Sequence, residues 1–368
     1  MRKRRLVRFV PLIGGFVAVA IAFGVARAGN LQPPGPPAST MKTLSEVEPR
    51  VAVNTSNTPG DADSQFKIAS PGSYYLAGNL TGDSGKMGIE IATGDVSLDL
   101  MGFELGGVPG SLDGIRVTEA ASNVTVSNGT VRDWGGTGVD ISDAANGRLS
   151  NLRTFANGGF GLRAGGGSTV EACTARQNTS YGIIVFSGSA ISNCVSNNNG
   201  AGGFGLGGES VISHCTANDN AGHGIESPNG RTTITGCTLV RSGLDGIHTG
   251  EGDTIINNTI LLSGNDGIEV VYAALIQGNV LHRNGWLTTN GAGVRAVAFG
   301  GGGGAKNRIE GNNLSENDIG IDIDSTNNLV IKNSASGNGV NYDIVAGNDV
   351  GPIGTAASAT SPWANIAN

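Results

Sequence analysis

Asn220-Ala-Gly-His-Gly-Ile-Glu-Ser227, Ser242-Gly-Leu-Asp-Gly-Ile-His-Thr249 and Ser263-Gly-Asn-Asp-Gly-Ile-Glu-Val270 are three copies of one phrase. Each carries a small polar residue, an ionisable residue three positions on, a Gly-Ile step, and a second ionisable residue after it. The step from Gly to an aliphatic residue recurs along the chain, at Gly88, Gly114, Gly138, Gly161, Gly182, Gly205, Gly224, Gly246, Gly267, Gly293 and Gly320. Successive copies are 19 to 27 residues apart. A sustained period of this size marks a solenoid, in which each copy is one turn that buries its apolar face only against its neighbours.

Between the steps lies a second β-rich run, for example Asn123-Val-Thr-Val126, Ser210-Val-Ile212, Thr254-Ile-Ile256 and Leu329-Val-Ile331, followed by Asn and Gly. Turn chemistry of that kind ends strands. No helical segment and no leucine-rich pattern interrupts it, so the expectation is two or three short strands per coil, stacked in parallel. Composition agrees. Gly 62 with only 5% aromatic residues cannot build a thick core and suits a thin fold in which Gly supplies positive φ at the corners.

The termini read differently. Met1 to Arg8 is basic, Phe9 to Val25 is apolar, and Ala26-Arg27-Ala28 is a small-x-small cleavage site, so residues 1–28 read as a signal peptide, with an uncleaved anchor as the rival reading. Residues 29–40 form a Pro-rich linker, 41–85 an N-terminal capping segment, and 346–368 a C-terminal cap or tail around a solenoid over 86–345. Removal of residues 1–28 lowers Lys+Arg from 23 to 17 against 30 Asp+Glu, a net charge of −13. An acidic chain with scattered bases is not built for phosphate backbones, which excludes nucleic acid as a partner. No later segment is apolar enough to span a membrane, and the expected location is secreted, periplasmic or cell surface.

Cys173, Cys194, Cys215 and Cys237 are spaced by 21, 21 and 22 residues, one per coil at one rung position. Parallel stacking at about 4.8 Å favours a row of buried thiols, although an oxidising compartment keeps disulfides open; a straight row does not converge tetrahedrally on zinc. Asn157, Asn178 and Asn220 each lie four residues before a repeat Gly, with Ser242 and Ser263 in the same slot. A stacked amide row of this kind is structural.

Lys42-Thr-Leu-Ser-Glu-Val-Glu-Pro-Arg50, Pro71-Gly-Ser-Tyr-Tyr-Leu-Ala-Gly-Asn-Leu80, Val96-Ser-Leu-Asp-Leu-Met-Gly-Phe103 and Tyr342-Asp-Ile-Val-Ala-Gly-Asn-Asp-Val-Gly-Pro352, together with the repeats, resemble bacterial proteins described as right-handed parallel β-helix repeat-containing, within the pectate-lyase-like superfamily. The resemblance implies an all-β, single-stranded right-handed parallel β-helix of about eleven coils of roughly 23 residues. That superfamily includes polysaccharide lyases, glycosidases, uronate epimerases and non-catalytic adhesins. Gly222-His223-Gly224 resembles an element of polygalacturonase-type hydrolases, but the acidic and Arg-Ile-Lys elements that accompany it there are missing, as is the Asp-Pro-His element of alginate epimerases.

In each Gly-aliphatic strand the aliphatic residue points inward and the next one outward. The outward row then reads Glu90, Arg116, Asp140, Arg163, Ile184, Gly207, Glu226, His248, Glu269, Arg295 and Asp322. With His223, Asp245 and Asp266 just before the Gly of three successive coils, six ionisable groups fall on one patch. The catalytic candidates are Asp245, His248, Asp266, Glu269, His223 and Glu226, with Arg295, Asp322 and Trp286 as substrate-binding candidates. Carboxylates one or two coils apart suit acid/base chemistry on a glycoside, and crowding is expected to keep one of them protonated. Calcium held by Asp245 and Asp266 is a further expectation. The opposing reading is a surface ladder of alternating charges with no chemistry. The function expected is therefore a carbohydrate-related role on the face His223–Arg295, either binding or cleavage of a polysaccharide or cell-surface glycan, with a non-catalytic structural or adhesive β-helix as the alternative.

Overall fold

The repeat glycines mark the closest approach of one coil to the next. In the computed structural model, which describes residues 47–297 and 304–368, a Cβ built on Gly138, Gly224, Gly246 or Gly267 would lie 2.6 to 2.7 Å from the carbonyl oxygen of the repeat Gly one coil on. No side chain fits there. The repeat glycines are not among the residues with positive φ, and the corner role expected for Gly falls to others, such as Gly236, Gly278 and Gly311 at φ 64° to 67°. Most corners are instead turned by non-Gly residues, such as Ala172, Asn193, His214 and Asn257 at φ 52° to 56°. Asn tolerates that left-handed conformation, and Ala adopts it against a steric penalty of roughly 1–2 kcal/mol.

The chain is a right-handed parallel β-helix with three strands per coil. One thirteen-stranded parallel sheet runs from Ser64–Ile68 to Val340–Ile344. The other two strands of each coil, such as Thr233–Thr235 and Thr238–Val240, belong to a second sheet bent at the corner residue between them. Thirteen coils replace the eleven read from the repeat. The first has no Gly step in Ser64-Gln-Phe-Lys-Ile68, and in the last Ile321 is matched by Tyr342 rather than by the residue after Gly339.

The inward positions form continuous apolar columns. Ile225, Ile247, Ile268, Val294 and Ile321 pair in register and are all fully buried. One step of the sequence register is shifted. Ile183 pairs with Phe204 and Ile184 with Gly205, so the repeat Gly of that coil is Gly203, whose Cβ would meet the Gly224 carbonyl at 2.6 Å. Gly205, not Gly207, holds the outward slot.

Polar ladders close the corners, where the backbone turns and N–H groups lose their strand partners. Asn157, Asn178, Asn199 and Asn220 are linked by Nδ2–H···Oδ1 bonds of 3.0, 3.0 and 2.9 Å, and the Oδ1 of Asn178, Asn199 and Asn220 also accepts the backbone N–H of the preceding coil's Asn. The four cysteines are free and buried. They do the same job more weakly: the Cys173 and Cys194 N–H groups point at the next Sγ at 3.4 Å. At Cys237 the row passes to Asn258, which accepts its N–H at 2.9 Å, and continues through Asn279, Asn312, Asn333 and Asn365. Thiols are therefore the first half of an amide ladder rather than a separate device. The expected signal peptide, the linker and most of the Gly300–Gly304 run lie outside the described residues.

Candidate functional site

The outward row of the thirteen-stranded sheet begins as a charge ladder. Lys67 contacts Glu90 at 2.9 Å and Arg163 contacts Asp140 at 3.3 Å, one rung apart in each case. Further along, the pairing changes character. Glu226, His248, Glu269, Arg295 and Asp322 stack in register, but His248 turns its Nδ1 to Glu269 Oε1 at 3.2 Å and to Asp245 Oδ2 at 3.4 Å. His223 Nδ1 approaches the same Asp245 oxygen at 3.2 Å. The two imidazoles stack with centroids 4.8 Å apart.

Asp245 is held from behind. Its Oδ1 accepts the Asp266 N–H at 2.9 Å and the Asn265 Nδ2–H at 2.8 Å, which leaves Oδ2 to face the imidazoles. Burial works against its ionisation, but His223, His248 and the Asp266 N–H outweigh it and hold the carboxyl well below the usual range. His248 is pushed up to about 10 by Asp245 first and Glu269 second. Burial, then the charge of Asp245, pushes Asp266 up to about 7 against the pull of Ala292 and Arg295.

A protonatable carboxyl beside an ionised one is the separation that acid/base chemistry uses. Asp266, however, is fully buried, with Oδ1 on the Ala292 N–H at 2.6 Å and Oδ2 on Asn265 Nδ2 at 3.3 Å. As folded it supports the coil and presents no oxygen to solvent. Of the four oxygens of Asp245 and Asp266, these bonds leave only Asp245 Oδ2 uncommitted, where calcium takes six to eight oxygens.

Arg295 reaches Asp324 at 3.0 Å, Asp322 at 3.8 Å and Asp266 at 3.9 Å. Burial and the neighbouring Asp324 raise the Asp322 carboxyl. Glu226 leaves the cluster: its Oε2 accepts the hydroxyl of Tyr181, two coils back. That bond closes one side of a depression of about 280 Å³ over Gly205, lined by Tyr181, Ile184, Phe186, Glu226 and Asn229. The missing side chain at Gly205 makes the pit and Ile184 gives it an apolar floor. Arg163 steadies the rim, its guanidinium 5.5 Å from the Phe160 ring and 5.3 Å from the Phe186 ring.

Trp286 is 54% exposed on its loop, and its backbone N–H contacts Ser263 rather than the cluster. The structure thus brings together His223, Asp245, His248 and Glu269, sets Arg295 and Asp322 beside them, buries Asp266 and diverts Glu226. Tyr181, Asn265 and Asp324 were missed. Tyr181 stands directly before Gly182, the slot that His223 occupies before Gly224, so the repeat itself carried that signal.

Comparison with known proteins agrees with this fold. A right-handed beta helix region model matches residues 109–239, and a model described as periplasmic copper-binding protein (NosD) matches residues 230–352. No curated protein matches the chain. Among solved structures, the A-module of an Azotobacter vinelandii mannuronan C-5 epimerase, AlgE6, is 16% identical with a TM-score of 0.50, covering 86% of each chain. A tailspike protein of E. coli bacteriophage HK620 is 12% identical with a TM-score of 0.57, over 81% of this chain and 71% of its own. The catalytic unit of a GH87 alpha-1,3-glucanase from Streptomyces thermodiastaticus is 13% identical with a TM-score of 0.49, over 91% of this chain and 68% of its own. Among the described residues no helix is long and apolar enough to cross a membrane.

Proposed function

We propose that this right-handed β-helix is an exported protein that engages a polysaccharide along the outer face of its thirteen-stranded sheet, from Phe160 to Asp324. The observation that carries the proposal is the pit over Gly205. A pyranose ring offers an apolar CH face and a rim of hydroxyls. The pit supplies an apolar floor at Ile184, aromatic walls at Tyr181 and Phe186, and a carboxylate at Glu226. Strand register continues the same row into His248, Glu269 and Arg295, charged groups for the hydroxyls of further sugars along a chain. Export is supported by the basic and apolar N-terminal segment and by a family model named for a periplasmic protein. The same fold carries a mannuronan epimerase. Because Asp245 and Asp266 each commit an oxygen to a backbone N–H, binding is the activity assigned to this face, and cleavage is scored in the same experiment.

The test is a panel of soluble polysaccharides, including pectin and alginate, assayed with the full chain and with Tyr181→Ala and Phe186→Ala. Retardation in affinity gels that drops at least tenfold in both variants supports the proposal, and reducing ends or unsaturated products add catalysis to it. Equal retardation by all three proteins, or none with any glycan, rejects it.

A further inference from the structure

Beside the glycan face, two ring nitrogens are left without a partner that chemistry requires. His223 Nδ1 and His248 Nδ1 are both buried, and neither makes a directed hydrogen bond, although each lies within 3.4 Å of Asp245 Oδ2. The approach is close, but the ring N–H direction is wrong for donation. A buried polar atom in that state is unfavourable, and here two lie beside one carboxylate oxygen.

We infer that His223 Nδ1, His248 Nδ1, Asp245 Oδ2 and Glu269 Oε1 form a binding site for a divalent first-row transition ion. The three atoms from His223, Asp245 and His248 lie within 4.8 Å of one another. The separations between donors from adjacent side chains are 3.2, 3.4 and 3.2 Å. A tetrahedral ion with bonds of about 2.0–2.1 Å places its donors roughly 3.3–3.4 Å apart; the spacings of Asp245 from the two imidazoles match that value, and Glu269 joins this three-residue group through His248. Two imidazoles with two carboxylates are a donor set for Zn²⁺ or Cu²⁺; calcium and magnesium want oxygen only.

The support behind the donors is also in place. Asp245 Oδ1 is fixed by the Asp266 N–H and by Asn265, so Oδ2 is oriented before any ion arrives, as the outer shell of a metal site does. His223 and His248 sit on successive rungs, and their side chains remain 17% and 29% exposed, which gives an ion a way in. The donors come from three coils at two strand positions. Only the fold assembles them, so the site exists in the folded chain and not in the unfolded one.

The experiment is calorimetric titration of the chelator-stripped full chain with Zn²⁺ and separately with Cu²⁺, alongside His223→Gln, His248→Gln and Asp245→Asn. The expected result is one ion per chain bound at micromolar affinity or tighter, weakened at least 100-fold in each variant. Cu²⁺ spectra should show two nitrogen ligands in the parent chain and one in His223→Gln. Circular dichroism and thermal melts establish that each variant is folded. His223→Phe, which keeps the stacked ring without a donor, must lose the ion as well. Binding by neither ion, binding unchanged in the variants, or saturable binding of Ca²⁺ alone overturns the inference. The titration contains no glycan and the gel assay runs in chelator, so failure of one reading leaves the other standing.

Discussion

Asp253 should make the protein less stable as pH rises, and Asp253→Asn should remove that effect. The residue opens the strand Thr254–Ile256 and is 1% exposed. Oδ1 accepts the Thr232 N–H at 2.9 Å, while Oδ2 is buried with no partner, as is Thr249 Oγ1 nearby. Burial first, helped by the charge of Glu251, pushes its carboxyl from the ordinary 3.8 up to about 6, against the Thr232 bond, the nearby Thr249 hydroxyl and Arg231. A folded value raised above the unfolded one means that folding takes up a proton. The stabilisation is complete below pH 3.8 and is lost as pH rises through about 6. That displacement corresponds to about 3 kcal/mol at pH 8. The substitution fits the slot, because Asn307 occupies the equivalent place two coils on and accepts the Ala274 N–H at 2.8 Å. The assay is urea unfolding of both proteins from pH 4 to pH 8 at constant ionic strength. The variant should match the parent at pH 4 and exceed it by about 3 kcal/mol at pH 8, while trends common to both cancel. An advantage that does not change with pH, or a variant weaker at pH 8, refutes the reasoning.

The close approach of coils predicts that Gly138→Ala costs about 1–3 kcal/mol, since its Cβ would lie 2.7 Å from the Gly161 carbonyl and 2.8 Å from Asn157 Nδ2. Gly78→Ala, with nothing within 4 Å, should stay within about 0.5 kcal/mol; thermal melts of the two variants read the contrast. Asn199→Ala strips the acceptor from both the Asn178 N–H and its Nδ2, and urea midpoints should register a loss of about 2–5 kcal/mol. The four buried thiols should resist a thiol reagent in the native protein and yield four equivalents once guanidinium unfolds it. Rapid native labelling or fewer equivalents would contradict a closed row of free cysteines.

How far the sequence could be read depended on which repeat served as the ruler. Gly-aliphatic steps misplace one coil because its true step, Gly203-Phe204, carries an aromatic residue, while Gly205-Leu206 two residues on satisfies the pattern. The asparagine row decides between them. Asn199 stands four residues before Gly203, as Asn178 does before Gly182 and Asn220 before Gly224, and its amide bonds to both neighbours. An amide that must meet its copies above and below tolerates no slip, whereas an aliphatic contact does. The row was visible at Asn157, Asn178 and Asn220, and it fixes register better than the step that first revealed the solenoid.

The candidate site was legible to the same depth and no deeper. Periodicity assigns each residue to a slot, so His223, Asp245, His248 and Glu269 could be grouped before any coordinates. What a side chain does within its slot depends on residues one or two coils away. Before the repeat Gly, a carboxylate normally ties coils together: Asp113 accepts the Thr137 N–H, Asp245 the Asp266 N–H and Asp266 the Ala292 N–H. One oxygen of each is therefore structural. The second oxygen decides whether chemistry is available. For Asp266 it is turned to Asn265 and buried; for Asp245 it meets two imidazoles whose Nδ1 atoms make no directed hydrogen bond. The distinction between these two aspartates lies in their neighbours and not in the repeat, and it separates a ladder rung from a site.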